Sequence, residues 1–170
     1  MSVSLDPELQ SPGKLPPSRA DAGSCTERPR ISGKFFRLGE DAFFVKGVTY
    51  GTFAPAADGT QFPPPERVQG DFALMSARGL NAVRLYTAPR PEMLDEASRW
   101  GLRLMIGLPW TQHVAFLDDA ALSREIRRQI VAKVLELHRH PAALLFALGN
   151  EIPPPVVRWH GRKRVERFLS

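Results

Sequence analysis

From residue 43 to residue 151 the chain keeps one beat. An apolar run of strand length is followed by a segment with apolar residues at helical spacing, and then by a strand again. FFVKGVTYG (43–51) reads as a strand. PPPERVQGDFALMSARG (63–79) places Val68, Phe72 and Met75 on one helical face, with prolines at its start and Gly79 at its end. LNAVRLYT (80–87) is a second strand, PEMLDEASRWG (91–101) a short helix stopped at Gly101, and LRLMIGLPW (102–110) a third strand. Ser123 to Arg139 predicts a helix with Ile126, Ile130, Val134 and Leu137 on one side, ended by His140-Pro141. Asp118-Asp119 marks the approach to its start. ALLFALGNE (143–151) is the fourth strand, and RKRVERFLS (162–170) opens another helix. Strands that alternate with helices pair in parallel through right-handed crossovers.

Two α/β architectures satisfy this beat, a doubly wound sheet and a (β/α)₈ barrel. A doubly wound nucleotide binder carries a glycine-rich loop after its first strand. The segment after Gly51 reads TFAPAADGTQFPPP, with neither GxGxxG nor GxxxxGK. The expected fold is therefore α/β, of the (β/α)₈ TIM-barrel type. A complete barrel takes about 250 residues and eight strands. The 170 residues here provide about the first four βα units, so the chain is expected to be a half barrel with two unpaired strand edges.

The flanks differ from this body. Residues 1–29 hold five of the sixteen prolines with scattered Ser, Gly and Asp and no hydrophobic period, and read as a disordered leader. Residues 30–155 form the half barrel. Within them ISGKFFRLGEDAFF predicts a hairpin turning at Leu38-Gly39-Glu40-Asp41, and the run from Phe43 to Gly51 is expected to continue as one strand. Residues 156–170 are the basic start of the fourth barrel helix. Four of the five net positive charges fall in that last stretch, so no basic face is spread over the body and nucleic acid is not an expected partner. The single cysteine, Cys25, excludes an internal disulfide and, placed in the polar leader, reads as inert. No apolar stretch reaches the roughly 20 residues of a spanning helix, and the N-terminus has no apolar signal core. A cytoplasmic location and no membrane segment are the expectation.

Candidate chemistry lies where barrels place it, at the C-terminal ends of the strands. The first strand ends at Thr49-Tyr50-Gly51, the second carries Arg84 and Tyr86, the third ends at Pro109-Trp110 ahead of Gln112 and His113, and the fourth ends at Asn150-Glu151. Alternation along NAVRLYT sets Ala82, Arg84 and Tyr86 on one face, with Val83 and Leu85 on the other. If Val83 and Leu85 meet the helices, Arg84 points into the barrel, where a buried guanidinium needs a carboxylate partner. Glu151 shares its parity with Ala147 and Gly149, which leave space beneath an inward carboxylate. HExxH spacing is absent, so neither a metal nor another cofactor is expected.

FFVKGVTYG, GLNAVRLYT, GLRLMIGLPW and HPAALLFALGNE resemble strands one to four of clan A glycoside hydrolases, most closely the catalytic barrel of the β-galactosidase/β-glucuronidase group. The resemblance covers about residues 31–155. It is also similar, more softly, to barrel domains found beside processive family 2 glycosyltransferases. The resemblance implies that Glu151 is the general acid/base, that Asn150 binds the sugar 2-hydroxyl, and that Arg84 holds the nucleophile ionised. It puts Tyr50, Tyr86, Trp110 and His113 where sugar-contacting groups occur. The nucleophile of that family, a second Glu on strand seven, has no counterpart here. The implied partner is an oligo- or polysaccharide acted on by retaining double displacement, together with a downstream domain of the same polypeptide. Retaining chemistry needs two carboxyl groups about 5–5.5 Å apart, one protonated and one ionised. Glu151 would gain the raised pKa of an acid from burial and a neighbouring negative charge. With half of this machinery absent, the chain by itself is expected to be inactive. The alternative is a non-catalytic carbohydrate-binding or accessory domain of a polysaccharide-synthesising glycosyltransferase.

Overall fold

The structure, a computed structural model, describes residues 25–55, 57, 59 and 61–170. Four strands, β4 (Gly47–Tyr50), β5 (Ala82–Leu85), β6 (Arg103–Leu108) and β7 (Ala143–Leu148), form one parallel sheet in the order of the chain. Three helices cross between them: α1 (Pro65–Ala77), α2 (Pro91–Arg99) and α3 (Ala120–Leu137). A doubly wound sheet reverses its strand order at a switch point and buries both faces. Here the order never reverses, and the core lies on one face. Val83, Leu85, Leu104 and Ile106 are fully buried on that side against Val68 and Phe72 of α1 and Met93, Leu94 and Ala97 of α2. Thr49, Arg84 and Met105, cross-strand partners in register, line the opposite, concave face. Four parallel strands in chain order with the core on one face match the layout of a barrel wall; the barrel is not closed.

Local chemistry explains the helix limits. Pro65 and Pro91 sit at first helical positions, where no amide hydrogen is needed. Asp119 caps α3, its carboxylate accepting from the amides of Ala121 at 2.8 Å and Leu122 at 3.0 Å. The helix therefore begins three residues before the expected Ser123. The C-terminal segment is two short helices rather than one, α4 (Pro154–His160) and α5 (Arg162–Leu169), divided at Gly161, whose φ of 80° takes it out of helical space.

The expected strand from Phe43 to Gly51 is divided. β1 (Arg30–Ser32), β2 (Phe35–Leu38) and β3 (Asp41–Phe43) form a separate antiparallel sheet, with the hairpin turning between Leu38 and Asp41. The break falls where Asn81 clamps the connecting chain. Its side chain accepts from Lys46 N–H at 2.7 Å and donates to Phe44 C=O at 2.8 Å. Of the expected leader, residues 1–24 lie outside the described residues. Residues 25–28 run beneath the sheet. Cys25 is buried, its amide donating to Ser98 C=O at 3.1 Å and its thiol to Leu102 C=O at 3.4 Å. Arg28 donates to the carbonyls of Ala143 (2.7 Å) and His138. The reading of Cys25 as part of a polar tail is thus corrected: it is a small apolar group packed under β6.

At Gly107 the neighbouring strand approaches closely. A Cβ there would collide with the main-chain carbonyls of Tyr86 and Leu85 at the end of β5.

Candidate active site

The site is built at the C-terminal ends of β5, β6 and β7. Alternation along β5 turns Arg84 to the concave face, as expected, and its Nη2 donates to Asn150 Oδ1 at 2.7 Å. The guanidinium also lies over the Tyr86 ring, 4.8 Å from its centroid. The expected carboxylate partner is replaced by a neutral amide. Arg84, Tyr86 and Asn150 therefore come together as one group spanning the sheet from β5 to the loop after β7.

Asn150 is fixed from the other side by Gln112, which is 5% exposed. The Gln112 carboxamide pairs with the Asn150 main chain twice: Oε1 accepts from Asn150 N–H at 3.0 Å, and Nε2 donates to Asn150 C=O. One side chain thus satisfies both backbone groups of a residue beyond the end of the sheet. Gln112→Ala would leave that N–H and C=O half-buried and unmet, a cost of about 1–3 kcal/mol. The expected result is a lower Tm together with faster hydrogen exchange at the Asn150 amide.

Gly149 makes this approach possible. Its amide continues the ladder to Leu108 C=O at 3.0 Å, and its φ is 73°. A Cβ at this position would stand 2.7 Å from the Trp110 ring and 2.8 Å from Gln112 Oε1. The space expected beneath Glu151 is therefore filled by Trp110 and Gln112. Trp110 itself is half-buried, edge-on to Phe116 and Phe168 with centroids 6.1 Å away in each case. Its indole N–H is buried with no hydrogen-bond partner among the described residues.

Glu151 follows with φ 54°, the sole non-glycine residue in the left-handed region among the described residues. Such a conformation costs about 1–2 kcal/mol and recurs at functional sites. It turns the side chain away from the strand's alternation. Glu151 is exposed rather than buried.

The remaining candidates divide. Tyr50 is not on the site face. It pairs in register with Leu85, so its ring enters the helix-side core, 4.9 Å from Phe53 and 5.6 Å from Phe72. Its hydroxyl donates to Asp71 Oδ2 at 2.6 Å, and burial, followed by that carboxylate, pushes its pKa up. Thr49, the partner of Arg84, is the inward residue of β4. His113 is exposed in the loop after β6 and joins no part of the network. Gln112, whose side chain closes the network, carries no period or motif that would single it out. Among the described residues no cluster of His, Cys, Asp or Glu could hold a metal ion.

Behind Trp110 the loop after β6 is pinned by the C-terminal helices. Asp118 accepts from Trp159 Nε1 at 2.5 Å and from Arg164 Nη1 at 3.3 Å, and lies 3.6 Å from Nδ1 of the buried His160. His160 Nε2 accepts from Leu117 N–H at 3.4 Å. The Trp159 indole N–H, more than His160 and Arg164, holds the Asp118 carboxyl below its usual range. A depressed carboxyl pKa stabilises the fold above the unfolded-state value, near 3.9, and that contribution is lost as pH falls through the folded value. Asp118→Asn is therefore expected to lower Tm at pH 7. Melting curves at pH 7 and pH 3 should show the gap from wild type narrowing in acid.

No family model and no curated protein sequence matches the chain. Solved structures do. The β-glucuronidase of Parabacteroides merdae aligns over 79% of this chain at 21% identity and a TM-score of 0.62, with 16% of its own length covered. The Bifidobacterium dentium β-glucuronidase complexed with coumarin-3-O-glucuronide aligns over 80% of this chain and 23% of its own, at 17% identity and a TM-score of 0.56. Gas2, in complex with a compound, aligns over 84% and 37%, at 19% identity and a TM-score of 0.56. At these identities the likeness is one of fold alone. The chain spans a small part of the length of each.

Proposed function

We propose that these residues are the first four βα units of a glycoside hydrolase barrel acting on β-linked sugars with retention. Glu151 is the general acid/base, Asn150 the ligand of the sugar 2-hydroxyl, and Arg84 the cation that keeps the attacking carboxylate ionised. The observation that carries this reading is the Arg84–Asn150–Gln112 network. It holds an amide and a guanidinium at the tips of β5 and β7, directly before a carboxylate in a strained conformation. The attacking carboxylate comes from a strand outside these four, about 5–5.5 Å from Glu151 in the closed barrel. The two carboxyl groups then divide the roles of nucleophile and acid/base. Tyr86 and Arg84 form the floor of the sugar site.

The test uses the protein with its barrel complete and aryl β-glycosides as substrates. Early products followed by NMR are expected in the β configuration; α-configured first products would overturn the double-displacement reading. Sugar affinity with no hydrolysis of any β-glycoside would instead favour the accessory-domain reading. That reading draws on the tips of β5 and β6, which carry no acidic residue between Tyr86 and Arg90 or between Pro109 and Leu117.

A further inference from the structure

α5 carries its charge where it works against the helix. Arg162, Lys163 and Arg164 occupy the first turn, with no acid among them. The N-terminal end of a helix is its positive pole, so cations there are disfavoured. Arg167 follows Lys163 by four residues and Arg164 by three, on the same side of the helix, where like charges repel. Arg162 pairs with Glu166 at 3.3 Å, and Arg164 with Asp118 at 3.3 Å. Lys163 and Arg167 are exposed and have no ion-pair partner among the described residues. These four cations and His160 line an open cleft of about 570 Å³ that holds no acidic side chain.

Beside the cleft stands an aromatic ring that the fold does not bury. Trp159 is 73% exposed. Its indole N–H donates to Asp118 Oδ2, while Oδ1 of the same carboxylate takes Arg164, so ring and cleft share one anchor. The ring is held at its edge and its surface is left open. The apolar side chains of α5 turn the other way: Val165 is buried, and Phe168 packs on Trp110 and Phe116. Trp159 is the one large apolar side chain exposed on α4 and α5. Through its neighbour His160 it is linked to the floor of the candidate site, by way of Phe116 at 5.2 Å and Trp110 at 6.1 Å between centroids.

We propose that α4 and α5 bind an acidic glycan chain, one sugar ring stacking on Trp159 and neighbouring carboxylate or sulfate groups meeting Lys163 and Arg167. The choice of a glycan among anionic partners rests on the glycosidase reading. α4 begins three residues beyond Glu151, so a glycan lying across the tip of β7 runs toward it. An anionic bilayer fits less well, because a helix that binds one lays an apolar face into it, and that face of α5 is engaged by Trp110 and Phe116. Single-stranded nucleic acid is held by aromatic side chains in succession, and here one ring stands alone. The cleft also lies away from Cys25, which binds at Leu102, before β6, whereas Asp118 lies beyond the far end of that strand.

The test titrates the whole 170-residue chain, residues 1–24 included, with a hexasaccharide of β-linked mannuronate, followed by the tryptophan indole resonances. Cellohexaose, a neutral chain of equal length, is the reference. The Trp159 resonance is expected to shift saturably with mannuronate, and binding should weaken as salt rises. The double variant Lys163→Glu, Arg167→Glu changes exposed side chains only and should bind about tenfold more weakly or worse. Trp159→Ala should lose affinity to a similar extent. Trp159→Phe, which also lacks the bond to Asp118 but keeps a ring, should retain more of it. No saturable shift, equal affinity for cellohexaose, a charge-reversed variant that binds like wild type, or equal losses in the two Trp159 variants would overturn the proposal. Tighter binding of hexathymidylate or of phosphatidylglycerol vesicles than of mannuronate would overturn the choice of a glycan. Binding is read without hydrolysis, so a failure here leaves the role of Glu151 standing, and an inactive completed barrel leaves this surface standing.

Discussion

Glu151→Gln in the completed barrel is expected to reduce turnover of an alkyl β-glycoside by about 10²–10⁴-fold, the share that a positioned acid supplies. The amide keeps the size and polarity of the side chain, so sugar binding should survive and the loss should fall on kcat rather than KM. A second comparison identifies proton donation as the missing step. A dinitrophenyl glycoside leaves as a stable phenolate and needs little protonation, so its first step should be spared in the variant. Equal losses on both substrates would place Glu151 outside the acid role, and unchanged turnover on both would remove it from catalysis. The backbone supplies a further reason for expecting the effect here. A glutamate held at φ 54° is not a residue a turn would select for its own stability, since glycine or asparagine takes that conformation at lower cost.

Gly107→Ala is expected to have the largest effect on folding. The added Cβ would meet the carbonyls of Tyr86 and Leu85, which are main chain and cannot rotate aside. β5 and β6 would have to separate where Leu85 pairs with Ile106, both fully buried. Overpacking a well-ordered core costs about 1–3 kcal/mol, and an obstruction by backbone belongs at the upper end or beyond. Against a typical stability of about 5–15 kcal/mol, much of the margin would go. Urea denaturation should show a lower midpoint, and a variant expressed only as aggregate would be the extreme of the same result. A midpoint equal to wild type would mean that the strands part at little cost.

The barrel wall was legible because period-two alternation and helical spacing each repeat several times, and every repeat restrains the next. Arg84 could be assigned a direction on that basis. Tyr50 could not, because being last in a strand does not say which face a residue occupies. Its register with Leu85 turns it to the helices, and the four residues of β4 offer too little alternation to show it. Gln112 stood at a strand tip in the sequence, but its role was not legible. It lies in a loop, where no period operates, and its partner is 38 positions away. Cys25 was misplaced because a few residues docked by main-chain hydrogen bonds leave no hydrophobic pattern. Glu151 was correctly set at the strand tip, but its parity was carried past Gly149, where the left-handed turn ends the alternation.

The pairing of Gln112 with the Asn150 backbone separates scaffold from chemistry. The clamp grips peptide groups that every residue except proline possesses, so position 150 can change its side chain without the loop losing its anchor. The tip of β7 then works as a socket, with interchangeable heads at positions 150 and 151 on a fixed mount. Redesign of specificity would begin there, with Gln112, Gly149 and Gly107 left untouched as the mounting plate.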